Sequence, residues 1–276
     1  MKVIVAEHAG FCFGVKRALD MVLAAAGKGT PLYTLGPLIH NPQVVEKLRV
    51  AGVDVVQNVH EVKTGSLIMP SHGVPREVKE AANAAGLNVI DATCPFVAKV
   101  HKRAQTLSQA GFHVAVVGDP GHSEVKGILS AAGGKATAVS SEQEAADLDW
   151  PGKVGIVAQT TQTAERFRAI VAAISRKAKE ARAFDTICYA THDRQRAALE
   201  LAPQVEAIFV VGGRNSANTN RLREICESTG VATYHIETAD EIQEQWLARK
   251  SIVGLTAGAS TPDWIIEEVR HRLERA

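Results

Sequence analysis

The chain has 276 residues, 46% of them hydrophobic and 5% aromatic, with 31 basic against 30 acidic side chains. That is enough apolar material for a full core. The scarce aromatics and balanced charge argue against an all-β sandwich, a base-stacking surface, a nucleic-acid footprint and a polybasic membrane patch. At about 150 residues per domain the length suggests one or two domains, a prior that internal repetition revises. No run approaches about 18 uninterrupted apolar residues, and the start, with one lysine, a short apolar run and then Glu7, does not resemble a signal peptide. A cytoplasmic protein is the expectation. The four cysteines, Cys12, Cys94, Cys188 and Cys226, stand too far apart for a disulfide framework, which brings ligand or catalytic roles forward.

In chain order, residues 3–6 form a strand-like run that turns through His8 and Phe11 to Cys12, ahead of a helical stretch over 15–26. A strand over 32–35 ends at Gly36. His40 lies in a loop feeding an amphipathic helix over 43–50, and strands over 53–56 and 67–69 follow, the latter ending in Ser71, His72 and Gly73 before a helix. The pattern then repeats. A run over 87–90 leads to Cys94, a helix over 97–109, a strand over 114–117 ending at Gly118, His122, and a helix over 124–129. Strands over 136–139 and 154–157 come next, then Gln159, Thr160 and Thr161. The third copy runs from the segment 183–187 through Cys188, a helix over 193–202, a strand over 208–211, Gly212, Ser216 and a helix over 220–228. It closes with strands over 232–235 and 252–255, the Gly258-Ala259-Ser260 loop and a helix over 262–275. The stretches 60–62, 142–149 and 239–246 are expected as solvated connector helices.

Gly36, Gly118 and Gly212 each lie 24 residues beyond their cysteine, and His40, His122 and Ser216 each lie 28 beyond. A register without gaps identifies three copies of one parallel α/β unit of about ninety residues. The expected fold is therefore α/β, three similar parallel-sheet lobes in a pseudo-threefold trefoil around a central site. The lobes span 12–93, 94–187, and 188–276 together with 1–11, with the amino-terminal strand completing the third. Ligands of open parallel sheets gather beyond the carboxyl ends of the strands, so the cysteines and polar loops are expected to face one site.

Each of the three register cysteines precedes a helix, where the partial positive charge favours the metal-binding thiolate. Three cysteines with no close fourth leave one metal position open and cannot close a four-cysteine zinc site. Cys226 shares an apolar helix face with Leu222 and Ile225 and is expected to be a buried bystander. His40, His72, His122, Thr160, Ser216, Asn218 and Ser260 offer imidazole, hydroxyl and amide groups near helix starts, a set suited to a phosphate or diphosphate. Taken singly, each reads more simply as a surface histidine or a helix cap, and it is their convergence that carries the inference. Glu124, two residues after His122, is the best placed proton donor, with a first-turn dipole role as its structural alternative. Gly212-Gly213-Arg214-Asn215 lacks the dinucleotide-binding glycine pattern. A non-catalytic anion-binding module and a zinc hydrolase of a phosphorylated metabolite stay open on these features alone.

The stretches GFCFGVKRA at 10–18, HNPQVVEKL at 40–48, SHGV at 71–74, DATCPFVAKVH at 91–101 and GHSEVKG at 121–127 closely resemble the 4-hydroxy-3-methylbut-2-enyl diphosphate reductase family. So do QTT at 159–161, ICYATHDRQ at 187–195, NSANTNRL at 215–222 and TAGASTPD at 256–263. The resemblance implies the last step of the non-mevalonate isoprenoid pathway, reductive removal of a hydroxyl from an allylic diphosphate to give isopentenyl and dimethylallyl diphosphates. It also implies one 4Fe-4S cluster per chain held by Cys12, Cys94 and Cys188, with one iron open to the substrate hydroxyl. By the same resemblance Glu124 donates a proton, Thr160 relays or holds it, and His40, His72, His122, Ser216, Asn218 and Ser260 hold the diphosphate. The implied partner is a reduced ferredoxin- or flavodoxin-type electron donor, with no nucleic acid and no membrane. This sequence departs from the family at Ala217, where many members have a second serine, and at His192, where a smaller polar residue is common. Its carboxyl terminus is also short, with no tail expected over the site.

Overall fold

The computed structural model describes residues 1–26 and 29–276. Its strands are β1 (Lys2–Val5), β2 (Leu32–Leu35), β3 (Val53–Val56), β4 (Ser66–Met69), β5 (Asn88–Asp91) and β6 (His113–Val117), then β7 (Ala136–Val139), β8 (Lys153–Ala158), β9 (Glu180–Ala183), β10 (Ala207–Val211), β11 (Ala232–Ile236) and β12 (Ile252–Ala257). The helices are α1 (Phe13–Ala25), α2 (Pro42–Val50), α3 (Arg76–Ala84), α4 (Pro95–Gln109), α5 (Ser123–Ala131) and α6 (Glu142–Asp147), then α7 (Ala164–Ser175), α8 (Tyr189–Leu201), α9 (Ala217–Ser228), α10 (Glu244–Leu247) and α11 (Asp263–Glu274). Single 3-10 turns at Val59–Glu61 and Ala239–Glu241 stand where connectors were expected.

Among the described residues the strands build three four-stranded sheets, ordered β3-β2-β4-β5, β7-β6-β8-β9 and β11-β10-β12-β1, with every pairing parallel. As the repeat predicts, the amino-terminal strand completes the last sheet, with Val3 opposite Val253 and Val5 opposite Leu255. In each sheet the chain steps outward from its first strand and then returns to build on the other side. The order therefore reverses between β2 and β4, between β6 and β8, and between β10 and β12. In open α/β sheets this reversal opens a crevice at the carboxyl ends of those strands, where ligands bind.

The chain divides into two compact units: residues 1–16, 39–46 and 189–276, which hold the sheet of β1, and residues 17–38 and 47–188, which hold the other two sheets. In the first unit β10 is buried on both faces, as a central parallel strand must be. Phe209 and Val211 pack with Ile265, Val269 and Leu273 of α11, while Ile208 and Val210 pack with Ala198 of α8 and Leu222 and Cys226 of α9. In the second unit β6 repeats the arrangement. Ala115 and Val117 meet Ile170 and Ile174 of α7, and Val114 and Val116 meet Leu107 of α4 and Ile128 of α5. Each such fully buried Ile, Leu or Phe contributes about 1.5–3 kcal/mol, so the sheet interiors hold the strand ends rigidly.

The helix starts differ from expectation. Helices α1, α4 and α8 begin two to four residues before 15, 97 and 193, at the residue that follows each cysteine. Ahead of Cys188 the chain leaves the sheet as the sequence suggests, with β9 ending at Ala183 and a short turn following. Beyond it side chains take over the backbone bonding: Thr186 Oγ1 accepts from Ala158 N–H at 2.8 Å and donates to Ala158 O at 2.7 Å, and Asp185 accepts from Ile187 N–H at 3.0 Å.

Candidate active site

Cys12, Cys94 and Cys188 occupy the same local structure three times. Each follows the fourth strand of a sheet, stands immediately before a helix, and donates its backbone N–H to a carbonyl in the loop after the neighbouring strand. The acceptors are Ala259 at 3.1 Å, Ser71 at 2.8 Å and Thr160 at 3.0 Å, respectively. Those loops share a turn as well, with Thr261, Gly73 and Gln162 each donating to the carbonyl three residues back. Gly73 takes its turn with φ of +76°, a conformation other residues adopt at a cost. All three cysteines are partly exposed thiols. Cys226 is fully buried in α9, and burial, reinforced by the Glu227 charge, pushes its thiol up to about 12, so it stays a protonated core residue as the sequence suggested.

The second unit also holds the acid. Glu124 lies in the first turn of α5 and is only 2% exposed. Its carboxylate accepts from Thr160 N–H at 2.7 Å and from Thr160 Oγ1 at 2.9 Å, across the crevice between β6 and β8. Burial pushes its pKa up to about 7, against the two Thr160 bonds, which favour the anion. A carboxyl poised there holds a proton at neutrality and can still release it. Beside it His122 caps α5, its Nδ1 accepting Glu124 N–H at 3.1 Å. This bond leaves Nε2 to carry the proton of a neutral ring. The His72 ring lies edge-on to His122 with centroids 6.3 Å apart. Ser123 and Thr161 have buried hydroxyl oxygens with no hydrogen-bond partner; the sequence placed both in the right loops, but nothing in it singled them out.

The first unit holds the remaining predicted residues. Ser216 caps α9 by accepting Thr219 N–H at 3.3 Å. In the first turn of that helix, Asn218 is buried and its Nδ2 has no hydrogen-bond partner. A donor left unpaired in a folded interior costs about 1–3 kcal/mol, so its presence argues for a ligand it serves. Ser260 Oγ donates to His40 O at 3.2 Å, and burial holds the His40 ring below its ordinary pKa, in the neutral form. Gly213 approaches the same carbonyl closely: a Cβ there would lie 2.6 Å from His40 O. Sequence reasoning also passed over Arg194, which donates to Gly10 O at 2.8 Å and Ala190 O at 2.9 Å and so ties the Cys12 turn to α8.

Among the described residues no three His, Cys, Asp or Glu side chains gather around one ion position. No described helix is long and apolar enough to cross a membrane.

Parallel α/β sheets, three equivalent cysteine turns and a buried acid of raised pKa define a thiol-bearing α/β protein with a candidate proton donor. The family model described as LytB protein matches residues 3–274, and the chain belongs to that family. It is 50% identical over 275 residues to the 4-hydroxy-3-methylbut-2-enyl diphosphate reductase of Geotalea uraniireducens, covering 100% of this chain and 98% of that protein. The enzyme of the same name from Citrifermentans bemidjiense is 52% identical over 274 residues, at 99% and 97% coverage. A solved structure of (E)-4-hydroxy-3-methyl-but-2-enyl diphosphate reductase, the terminal enzyme of the non-mevalonate pathway, matches at 45% identity over the whole of both chains with a TM-score of 0.72. The structure of the Plasmodium falciparum reductase reaches 0.94 at 28% identity, over 98% of this chain and 87% of that one.

Proposed function

We propose that this chain is a 4-hydroxy-3-methylbut-2-enyl diphosphate reductase acting in the cytoplasm. It converts the allylic alcohol, with two electrons and two protons, to isopentenyl or dimethylallyl diphosphate and water. One proton leaves with the hydroxyl and the other ends on carbon. The observation that carries the reading is the threefold cysteine turn, in a chain about half identical to reductases of that name. Lobes 12–93, 94–187, and 188–276 with 1–11 each supply one thiol.

The donor set fits an iron–sulfur cluster. Three thiols precede helices whose N–H dipoles stabilise thiolates, and a cluster takes each on a different iron, so no single ion needs all three. The buried Cys226 offers no fourth ligand. When bound through Cys12, Cys94 and Cys188, a 4Fe-4S cluster supplies electrons and an open Lewis-acidic iron for the hydroxyl. The rest falls to the protein. His40, His72, His122, Ser216, Asn218 and Ser260 hold the diphosphate, with imidazole N–H groups, hydroxyls and the unpaired Asn218 amide acting as donors. Glu124 keeps its proton because it is buried, and gives it up as the hydroxyl departs as water. Thr160, bonded to both carboxylate oxygens, orients the acid and stabilises the anion left behind. A ferredoxin- or flavodoxin-type protein delivers the electrons.

Anaerobically reconstituted protein supplied with dithionite, a viologen mediator and the allylic diphosphate tests this. The expected result is formation of both isoprenoid diphosphates. Hydrolysis to inorganic phosphate without reductant would overturn it in favour of a hydrolase.

A further inference from the structure

On the second unit, α4 presents Lys99, Lys102 and Arg103 on neighbouring turns of one exposed face. With Phe96, Asp185 and Ile187 they line a cleft of about 420 Å³. Lys99 Nζ lies 5.4 Å from the centre of the Phe96 ring, and the Arg103 guanidinium lies 4.3 Å from that of Phe184. Among the described residues none of the three cations forms an ion pair. Asp185 is the one carboxylate in the lining, and it accepts Ile187 N–H. In a chain of net charge +1 this is a local excess of positive charge. Its position gives it meaning. Phe96 is two residues beyond Cys94, and Ile187 directly precedes Cys188, so the cleft borders the backbone of two of the three thiols.

Resting on the reductase reading, we infer that this cleft is the docking surface for the acidic one-electron carrier protein that reduces the enzyme. Each encounter oxidises one reduced carrier and brings in one electron, so two encounters serve each turnover. A transient redox contact needs only a small interface, and complementary charge raises its association rate without making it permanent. Unpaired cations around a partly exposed aromatic ring provide that combination, and the paired surface charges elsewhere on α3 and β9 do not.

The test uses reconstituted holoenzyme carrying Lys99→Glu and Lys102→Glu together, with Arg103 kept so that its packing on Phe184 persists. Turnover is measured with an acidic ferredoxin as donor and separately with dithionite and a viologen. The expected result is a KM for the ferredoxin raised roughly tenfold or more with a flattened salt dependence, against a dithionite rate within about twofold of wild type. The neutral pair Lys99→Gln and Lys102→Gln falls between. An unchanged KM for ferredoxin, or equal losses with both donors, overturns docking at this cleft and leaves the reductase reading standing. A wild-type holoenzyme inactive with dithionite overturns both.

Discussion

Burial holds the Glu124 carboxyl protonated up to about pH 7, and proton donation requires that form, so turnover with a chemical reductant falls as pH rises through about 7. Thr160→Val removes a hydrogen bond that favours the carboxylate, so the falling limb moves to higher pH; a shift to lower pH would contradict the assignment. Glu124→Gln lowers kcat about 100-fold or more with little change in KM, the scale expected for loss of general acid catalysis. The same substitution affects stability in the opposite direction. Because the folded pKa lies above the ordinary 4.5, the stability linked to this group is full below about pH 4.5 and is lost as pH rises toward about 7. Melting curves should therefore show Glu124→Gln gaining on wild type across that range. Asn218→Ala separates binding from folding in the same manner. Its amide has no partner in the folded chain, so truncation leaves the melting temperature unchanged or higher while raising KM for the diphosphate about tenfold or more. The type and place of both residues were visible in the sequence, but their energetics were not. The raised pKa comes from enclosure and from Thr160, 36 residues away, and the unpaired amide comes from packing around the start of α9.

At the scale of elements, the repeat was legible because its signals are local. Apolar runs such as 114–117 and 208–211 are buried on both faces, and each ends at a glycine or polar loop at a constant offset from its cysteine. Helix starts were harder to place, since Phe13, Pro95 and Tyr189 become helical only once the preceding cysteine is pinned to a neighbouring loop. The strand end and turn before Cys188 were legible, but not the bonds made by Asp185 and Thr186 that fix them. The loops themselves can be tested. Gly213→Ala drives a Cβ against His40 O and should cost about 1–3 kcal/mol in stability, with a raised KM where the His40 and Ser260 contact shifts. Unchanged melting and KM would show that this close approach carries no function.

For the molecule as a whole, two compact units carry three sheets of one plan, the last completed by the opposite end of the chain. Deleting residues 1–6 strips β12 of its outer partner and leaves an open edge, and should lower the melting temperature and promote aggregation. The same plan repeats the cysteine turn three times and leaves Cys226 outside it, which is the central claim. Iron and acid-labile sulfide analysis of anaerobic protein, with electron paramagnetic resonance, tests it most directly. About four iron and four sulfide per chain are expected for wild type and Cys226→Ser, with loss of the cluster in Cys12→Ser, Cys94→Ser and Cys188→Ser. Zinc without sulfide, or loss of iron on changing Cys226 alone, would contradict it.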